Sequence, residues 1–316
     1  MADDDLKQLA LRLGTQGPHK TLPTPRLIQL LHAGHNILRT TNAVYVWENP
    51  FYPQYYLPAA ELLANHEDPA HPLTITQGEA ITAPDDRNTV IAHHWILTLP
   101  SHQSPITRVL AFSPHLSNPK AAAAAAAATA AASPLANLVK IDFPSIATWL
   151  EETLPIHIHP KNPFTRLDVL PSMRKLKISH SGRILAETSY SQHLYETGLP
   201  CRYYIPLTAV REGVLKKSER RTGCPYKGEA EYFSVVVAQG LKEEEGGAEG
   251  AGEGEGEVVV EDGVWVYWRP EVECAGIGGL VCFMNEKFDI ELDGKLLERP
   301  DTHFGRKGPD AKPSAV

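Results

Sequence analysis

Cys224-Pro225-Tyr226-Lys227-Gly228 sets a thiol and an amine three positions apart around a proline and a glycine. Pro225 stiffens the chain after Cys224, and Gly228 permits a tight turn or the close approach of a ligand. In a turn, both groups can face one pocket. A neighbouring ammonium lowers a thiol pKa, while a desolvated lysine can act as a nucleophile or grip an anion. Cysteine also packs as a small hydrophobe, and lysine also closes salt bridges, so a structural role stands beside the chemical one. Cys224 and Lys227 are the catalytic candidates.

A second constellation joins Glu196, Tyr203 and Tyr204, with Arg221 and Tyr226 close in sequence to Lys227. In an extended strand Tyr203 and Tyr204 point to opposite faces, so only one can line a given cavity. Glu196 lies in an apolar run and needs a partner if buried, which Lys227 or Arg202 could supply. The same pair can be a ligand-orienting carboxylate with a cation, or an ion pair that pins the fold. The expected ligand-binding set is Glu196, Tyr203, Arg221, Tyr226 and Lys227.

The elements that position these residues occur twice. A shift of 148 carries His32-Ala33-Gly34 onto His180-Ser181-Gly182, Glu48 onto Glu196, Tyr55-Tyr56 onto Tyr203-Tyr204 and Pro58 onto Pro206, without a gap. A period this long marks a duplicated domain, because solenoid repeats run at ~20–50 residues. Continued further, the shift sets Cys224 on Thr76 and Lys227 on Glu79, which predicts one intact site in the second copy. His32-Ala33-Gly34-His35 reads as the turn of a hairpin, with a counterpart through Gly182. Runs 232–238 and 263–268 read as strands flanking an overgrown hairpin tip, and 279–283 with 288–292 as a further pair. Helices are predicted at 59–65 and 145–152. Acidic residues at 3–5 favour an N-terminal helix with Leu6, Leu9, Ala10 and Leu13 as its apolar stripe. His157-Ile158-His159 alternates like a strand, which puts both imidazoles on one face in a structural role.

Composition narrows the function classes. Seven Glu and one Lys within 240–257 carry −6 of the net charge of −8, and no basic stripe remains to neutralise phosphates. Nucleic-acid binding is therefore disfavoured. No 18-residue apolar run occurs, so no membrane span is expected. The four cysteines form no C-x-x-C pair, which gives no metal site and fits a reduced, intracellular protein, cytoplasmic with the nucleus open. No P-loop, dinucleotide fingerprint, nucleophile elbow, zinc-protease or deaminase motif is present, and no cofactor is implied.

Three ordered blocks carry a family resemblance: LYETGLPCRYYIP (194–206), RTGCPYKGEAEYFSV (221–235) and GIGGLVCFMNEKFDIELDG (276–294). They resemble the domain-of-unknown-function 427 family, and VWENPFYPQYYLP (46–58) looks like a first copy. The resemblance implies a mainly β, β-rich α+β fold of tandem β-tent-like domains with short helices. Some relatives of that fold carry zinc on paired cysteines, which this chain lacks. The family also carries a nucleotidyltransferase label, for which a K-x-D-G motif is missing.

The expected organisation is an N-terminal arm (1–25), a degenerate first copy (26–150) with a poly-alanine insert (121–132), a connecting segment (151–172), an intact second copy (173–305) with a disordered acidic loop (240–257), and a tail (306–316). The working function is small-molecule binding, with an anion among the ligands, in the second copy. The alternatives are an enzyme acting on a phosphorylated or nucleotide substrate, and a non-catalytic interaction protein. In the last, the two copies form an internal pseudo-dimer and the acidic loop binds a basic partner.

Overall fold

Two acidic residues open the first helix, α1 (Asp4–Gln16), where they complement the helix dipole, and Leu6, Ala10 and Leu13 bury its apolar stripe. The computed structural model describes residues 4–67, 73–100, 104–120, 131–237 and 257–302. These residues divide into two units, one ending at Asn162 and the next beginning at Pro163. The fold is mainly β. No helix among the described residues is long and apolar enough to cross a membrane.

The first unit holds a larger sheet in the order β1 (Lys20–Pro23), β4 (Val44–Trp47), β5 (Gln54–Pro58), β9 (Leu138–Ile141), β8 (Ile106–Phe112), β7 (Val90–Thr98), β6 (Thr74–Thr82). Its smaller sheet runs β11 (Leu154–Ile156), β10 (Thr148–Glu151), β2 (Ile28–His32), β3 (His35–Thr40). The pairings are antiparallel throughout.

The second unit repeats this. Its larger sheet is β12 (Leu167–Ser172), β15 (Ser191–Glu196), β16 (Arg202–Pro206), β20 (Leu280–Phe283), β19 (Glu257–Val266), β18 (Gly228–Val237), β17 (Leu215–Cys224). The smaller is β14 (Arg183–Thr188), β13 (Leu176–His180), β21 (Asp289–Leu292), β22 (Lys295–Leu296). Each unit thus pairs a seven-stranded with a four-stranded sheet, and the mainly β fold that the resemblance implies occurs twice.

The β2–β3 and β13–β14 hairpins close as read from sequence. Ala33 and Gly34 have φ of 50° and 80°, and Ser181 and Gly182 repeat this at 50° and 79°. Two consecutive positive φ angles define a type I′ turn, which prefers Asn-Gly. Ala33→Asn and Ser181→Asn are therefore each expected to stabilise by about 0.5 kcal/mol, read as a higher urea midpoint at unchanged slope.

Four expectations are corrected. Within 145–152 the chain forms β10 rather than a helix, because Trp149 pairs with Leu30 of β2 and Ile156 of β11, and its side chain is buried. Segments 279–283 and 288–292 do not pair with each other: β20 joins the larger sheet and β21 the smaller, and Asp293-Gly294 turns β21 into β22. His157 and His159 do not share a strand face. β11 ends at Ile156, and a turn at Ile158 leaves His157 exposed and His159 buried.

The fourth concerns register. The 148 shift holds through β5 and β16, where Tyr56 pairs with Lys140 and Tyr204 with Cys282. It then fails, because the first unit inserts a nine-residue helix, α2 (Ala59–Glu67), where the second has a three-residue 3-10 turn (Leu207–Ala209). Thr76 consequently pairs with Ile96 in mid-strand, whereas Cys224 closes β17 against Gly228. Thr82 and Val90, which end the matching hairpin, are the true counterparts of Cys224 and Gly228.

The expected connecting segment, 151–172, contains β11 in the first unit and β12 in the second. β18 and β19 pair as expected up to Val237 and Glu257. Most of the acidic insert between them, residues 121–130 of the poly-alanine run and the tail from 303 lie outside the described residues.

Candidate functional site

The Cys-Pro-Tyr-Lys-Gly segment is the tip of the β17–β18 hairpin. Cys224 and Gly228 form its last pair, and Gly228 has φ of 91°. A Cβ there would also come within 3.2 Å of the Arg269 carbonyl oxygen, so both the turn and the close packing call for glycine. The tip lies against the 269–271 backbone, with the Glu271 amide donating to the Lys227 carbonyl at 3.2 Å.

From this tip Lys227 reaches Glu196 at the end of β15, with Nζ 2.5 Å from Oε2. Both side chains are nearly buried, at 11% and 12% exposure. β15 and β18 stand four places apart in the sheet, so the pair ties the hairpin tip across it. Burial works to lower the Lys227 pKa, but Cys224 and Glu196 outweigh it and the net direction is up. The ammonium is therefore kept protonated, the opposite of what a nucleophilic amine requires. Cys274 also lies near this group, and burial pushes its thiol up to about 11.

The first unit makes the same bond from a different lysine. Glu48, the counterpart of Glu196, takes Lys140 Nζ at 2.7 Å, and Lys140 also contacts Asp142 at 3.1 Å. Lys140 sits on β9 where the second unit has Cys282 on β20. Cys282 feels Arg202, so a lysine at that position would meet a second cation. Arg202 instead forks onto Glu286 through two bonds of 2.7 and 2.8 Å, with both side chains under 10% exposed.

The expected ligand set is split by strand alternation. Glu196 shares a face with Leu194, which packs with Tyr204, Tyr267 and Cys274. Tyr203 packs on the other face against the cluster containing Ile178, Val264 and Phe288. Arg221 lies on the exposed side of its hairpin and is engaged by Glu229 at 2.8 Å and Glu231 at 2.9 Å. Tyr226 is half-buried at the hairpin tip. The structure thus joins Glu196 to Lys227, with Cys224 beside the lysine, and sets Tyr203 and Arg221 apart from them.

Tyr203 faces a cavity of about 120 Å3 that it shares with Cys201, Asn285, Phe288, Leu297 and Arg299. Burial pushes the Tyr203 hydroxyl up to about 12, and it also raises the Cys201 thiol, which interacts with the hydroxyls of Tyr195 and Tyr203. Asn285 is 7% exposed and donates from Nδ2 to the Cys201 carbonyl at 2.8 Å. Its buried Oδ1 has no hydrogen-bond partner. Arg299 is held by Asp289 at 2.8 and 3.0 Å. Cys201, Asn285, Phe288 and Arg299 carry no motif in the sequence. Their only common signal is position in two of the three family-like blocks, or just past the last.

A second cavity, of about 220 Å3, lies in the first unit, lined by Phe143, Ile146, Trp149, Ile156, His157 and Ile158 among others. It occupies the same place in the repeated fold. Trp149 pairs with Leu30 as Ile290 pairs with Ile178, and Leu30 and Ile178 are counterparts. By this register Ile156 stands for Leu297, and by that of β9 and β20, where Lys140 stands for Cys282, Phe143 stands for Asn285 and Ile146 for Phe288. No group of three or more metal-ligating side chains among the described residues could hold an ion.

A model of the domain of unknown function 427 matches residues 20–80 and 168–294. The two matched segments open one in each unit, and the second includes Glu196, Tyr203, Arg221, Cys224, Tyr226 and Lys227. No curated protein matches the chain.

Proposed function

The chain belongs to the DUF427 family, matched over more than half of its length, and from that premise we propose that it binds a small molecule in the cavity of its second unit. The observation that carries this reading is the buried Asn285 Oδ1, left without a partner in a residue that lines a cavity of about 120 Å3. An unsatisfied buried acceptor costs about 1–3 kcal/mol, which a ligand N–H or O–H recovers. The ligand that fits is small and neutral, with one donor for Asn285 and a short apolar part for Phe288 and Leu297. An amide, a urea or a compact alcohol has this form. An anion is less suited, because it must displace Asp289 from Arg299.

Glu196 and Lys227 then support the site from the other face of the sheet. An enzyme using Lys227 on a phosphorylated or nucleotide substrate would have to open its bond to Glu196 first. The interaction reading needs the acidic loop as a docking element, and most of that loop lies outside the described residues.

Saturation-transfer NMR of the full chain with acetamide, urea and 2-propanol tests the proposal. Wild type is expected to bind at least one of them with a dissociation constant on the order of millimolar, as ligands of so few atoms allow. Leu297→Trp, which fills the cavity, should abolish the signal while the melting temperature holds. Binding by none of the three, or binding retained in Leu297→Trp, would overturn it.

A further inference from the structure

We propose that the first unit carries a binding site of its own, for a planar, uncharged aromatic molecule of one or two fused rings. It rests on the first unit alone and does not depend on the ligand of the second. At about 220 Å3 the cavity exceeds the engineered apolar cavity of ~150 Å3 that holds benzene, so a bicyclic ring fits. Its walls are aromatic and aliphatic. Phe143 and Trp149 stack at 9° with centroids 5.1 Å apart, and the Trp149 indole N–H donates to the Phe143 carbonyl at 3.0 Å. That bond fixes the stack and leaves no indole donor for a ligand. Tyr55, the counterpart of Tyr203, is likewise closed off: its hydroxyl bonds to Tyr45 at 3.0 Å and Glu151 at 2.8 Å. The substitution of Phe143 for Asn285 replaces the orphan acceptor of the second cavity with a ring face. The two cavities therefore differ, one offering a hydrogen-bond acceptor and the other a ring face.

The rim supplies an independent observation. Ile158 has φ of 74°, and the His159 amide donates to the His157 carbonyl at 2.9 Å across it. This is the rare positive-φ γ-turn, which is strained, and a β-branched residue makes it more so. It is held from behind, where His159 is buried and stacks on Tyr52 at 4.2 Å and 19°. Strain of this kind gathers at ligand clamps, where the surroundings over-determine a conformation the residue would otherwise avoid. Here it sets Ile158 and His157 over the cavity mouth, with the exposed imidazole beside any polar edge of the ring.

Indole is the probe, titrated calorimetrically into the full chain. Wild type is expected to bind one equivalent, and Ala147→Trp, which fills the cavity from an exposed lining position, to weaken it at least tenfold. His157→Trp fills it from a second exposed lining position and serves if Ala147→Trp melts early. Leu297→Trp in the second unit should leave indole binding unchanged. No saturable binding to wild type, retention of affinity in a well-folded filling variant of the first unit, or loss of binding in Leu297→Trp instead would overturn the proposal.

Discussion

Lys227→Ala is expected to destabilise the second unit by about 3–5 kcal/mol, because it strands the Glu196 carboxylate in a nearly buried position. The same argument makes Lys227→Met with Glu196→Leu far milder than either single change. A buried ion pair replaced as a whole by apolar groups of similar size is often neutral. Urea unfolding of the two single variants and the double variant measures this directly. A single-variant loss below about 1 kcal/mol would mean that the pair behaves as an exposed one. The effect should be larger than that because the bond joins elements far apart in the sheet rather than neighbours. It also removes Lys227→Ala as a clean probe of ligand contact, since lost binding would follow from a loosened hairpin tip.

Arg202→Ala carries a comparable expected loss, about 3–5 kcal/mol, from the forked bond to Glu286. Arg202→Lys keeps the charge but not the fork, and should lose about 1.5–3 kcal/mol. The acid response separates this bond from simple packing. Burial works to raise the Glu286 pKa, but the hydrogen bonds from Arg202 and Thr302 outweigh it and the net direction is down. A carboxyl lowered in the folded state contributes stability that is fully present above its unfolded value, near 4.5, and is lost as pH falls through the lower folded value. Wild type should therefore lose stability below about pH 4.5 more steeply than Glu286→Gln. Parallel slopes for the two proteins would contradict the assignment.

Much of the fold was readable because the chain repeats. The two His-x-Gly turns, the N-terminal helix and the paired tyrosines each followed from a short local pattern that the structure preserves. The errors came where tertiary partners overrule local preference. Residues 145–152 have a helix-like spacing of Ile146 and Leu150, yet Trp149 is drawn into the smaller sheet by Leu30, more than a hundred residues earlier. The register failed at α2, since a gapless shift cannot report an insertion between matched blocks. Of the site, the Glu196–Lys227 contact was foreseeable from a buried carboxylate that needs a cation. The use of Lys140 for the same purpose was not, because it comes from a strand whose counterpart holds cysteine.

The cavities were invisible for a different reason. The second-unit cavity is lined from three separated segments and the first-unit cavity from two, and most of the lining residues are apolar. Only their convergence gives them meaning: Tyr203 from β16, Asn285 after β20, Leu297 after β22. The divergence of Asn285 from Phe143 likewise becomes informative only once register has made them counterparts.

The most direct measurement is a crystal structure of the full chain soaked with the strongest of acetamide, urea and 2-propanol. The account predicts density between Tyr203 and Leu297, with a ligand donor at hydrogen-bond distance from Asn285 Oδ1. Ligand density only elsewhere, with the cavity beside Asn285 empty or holding water alone, would contradict it.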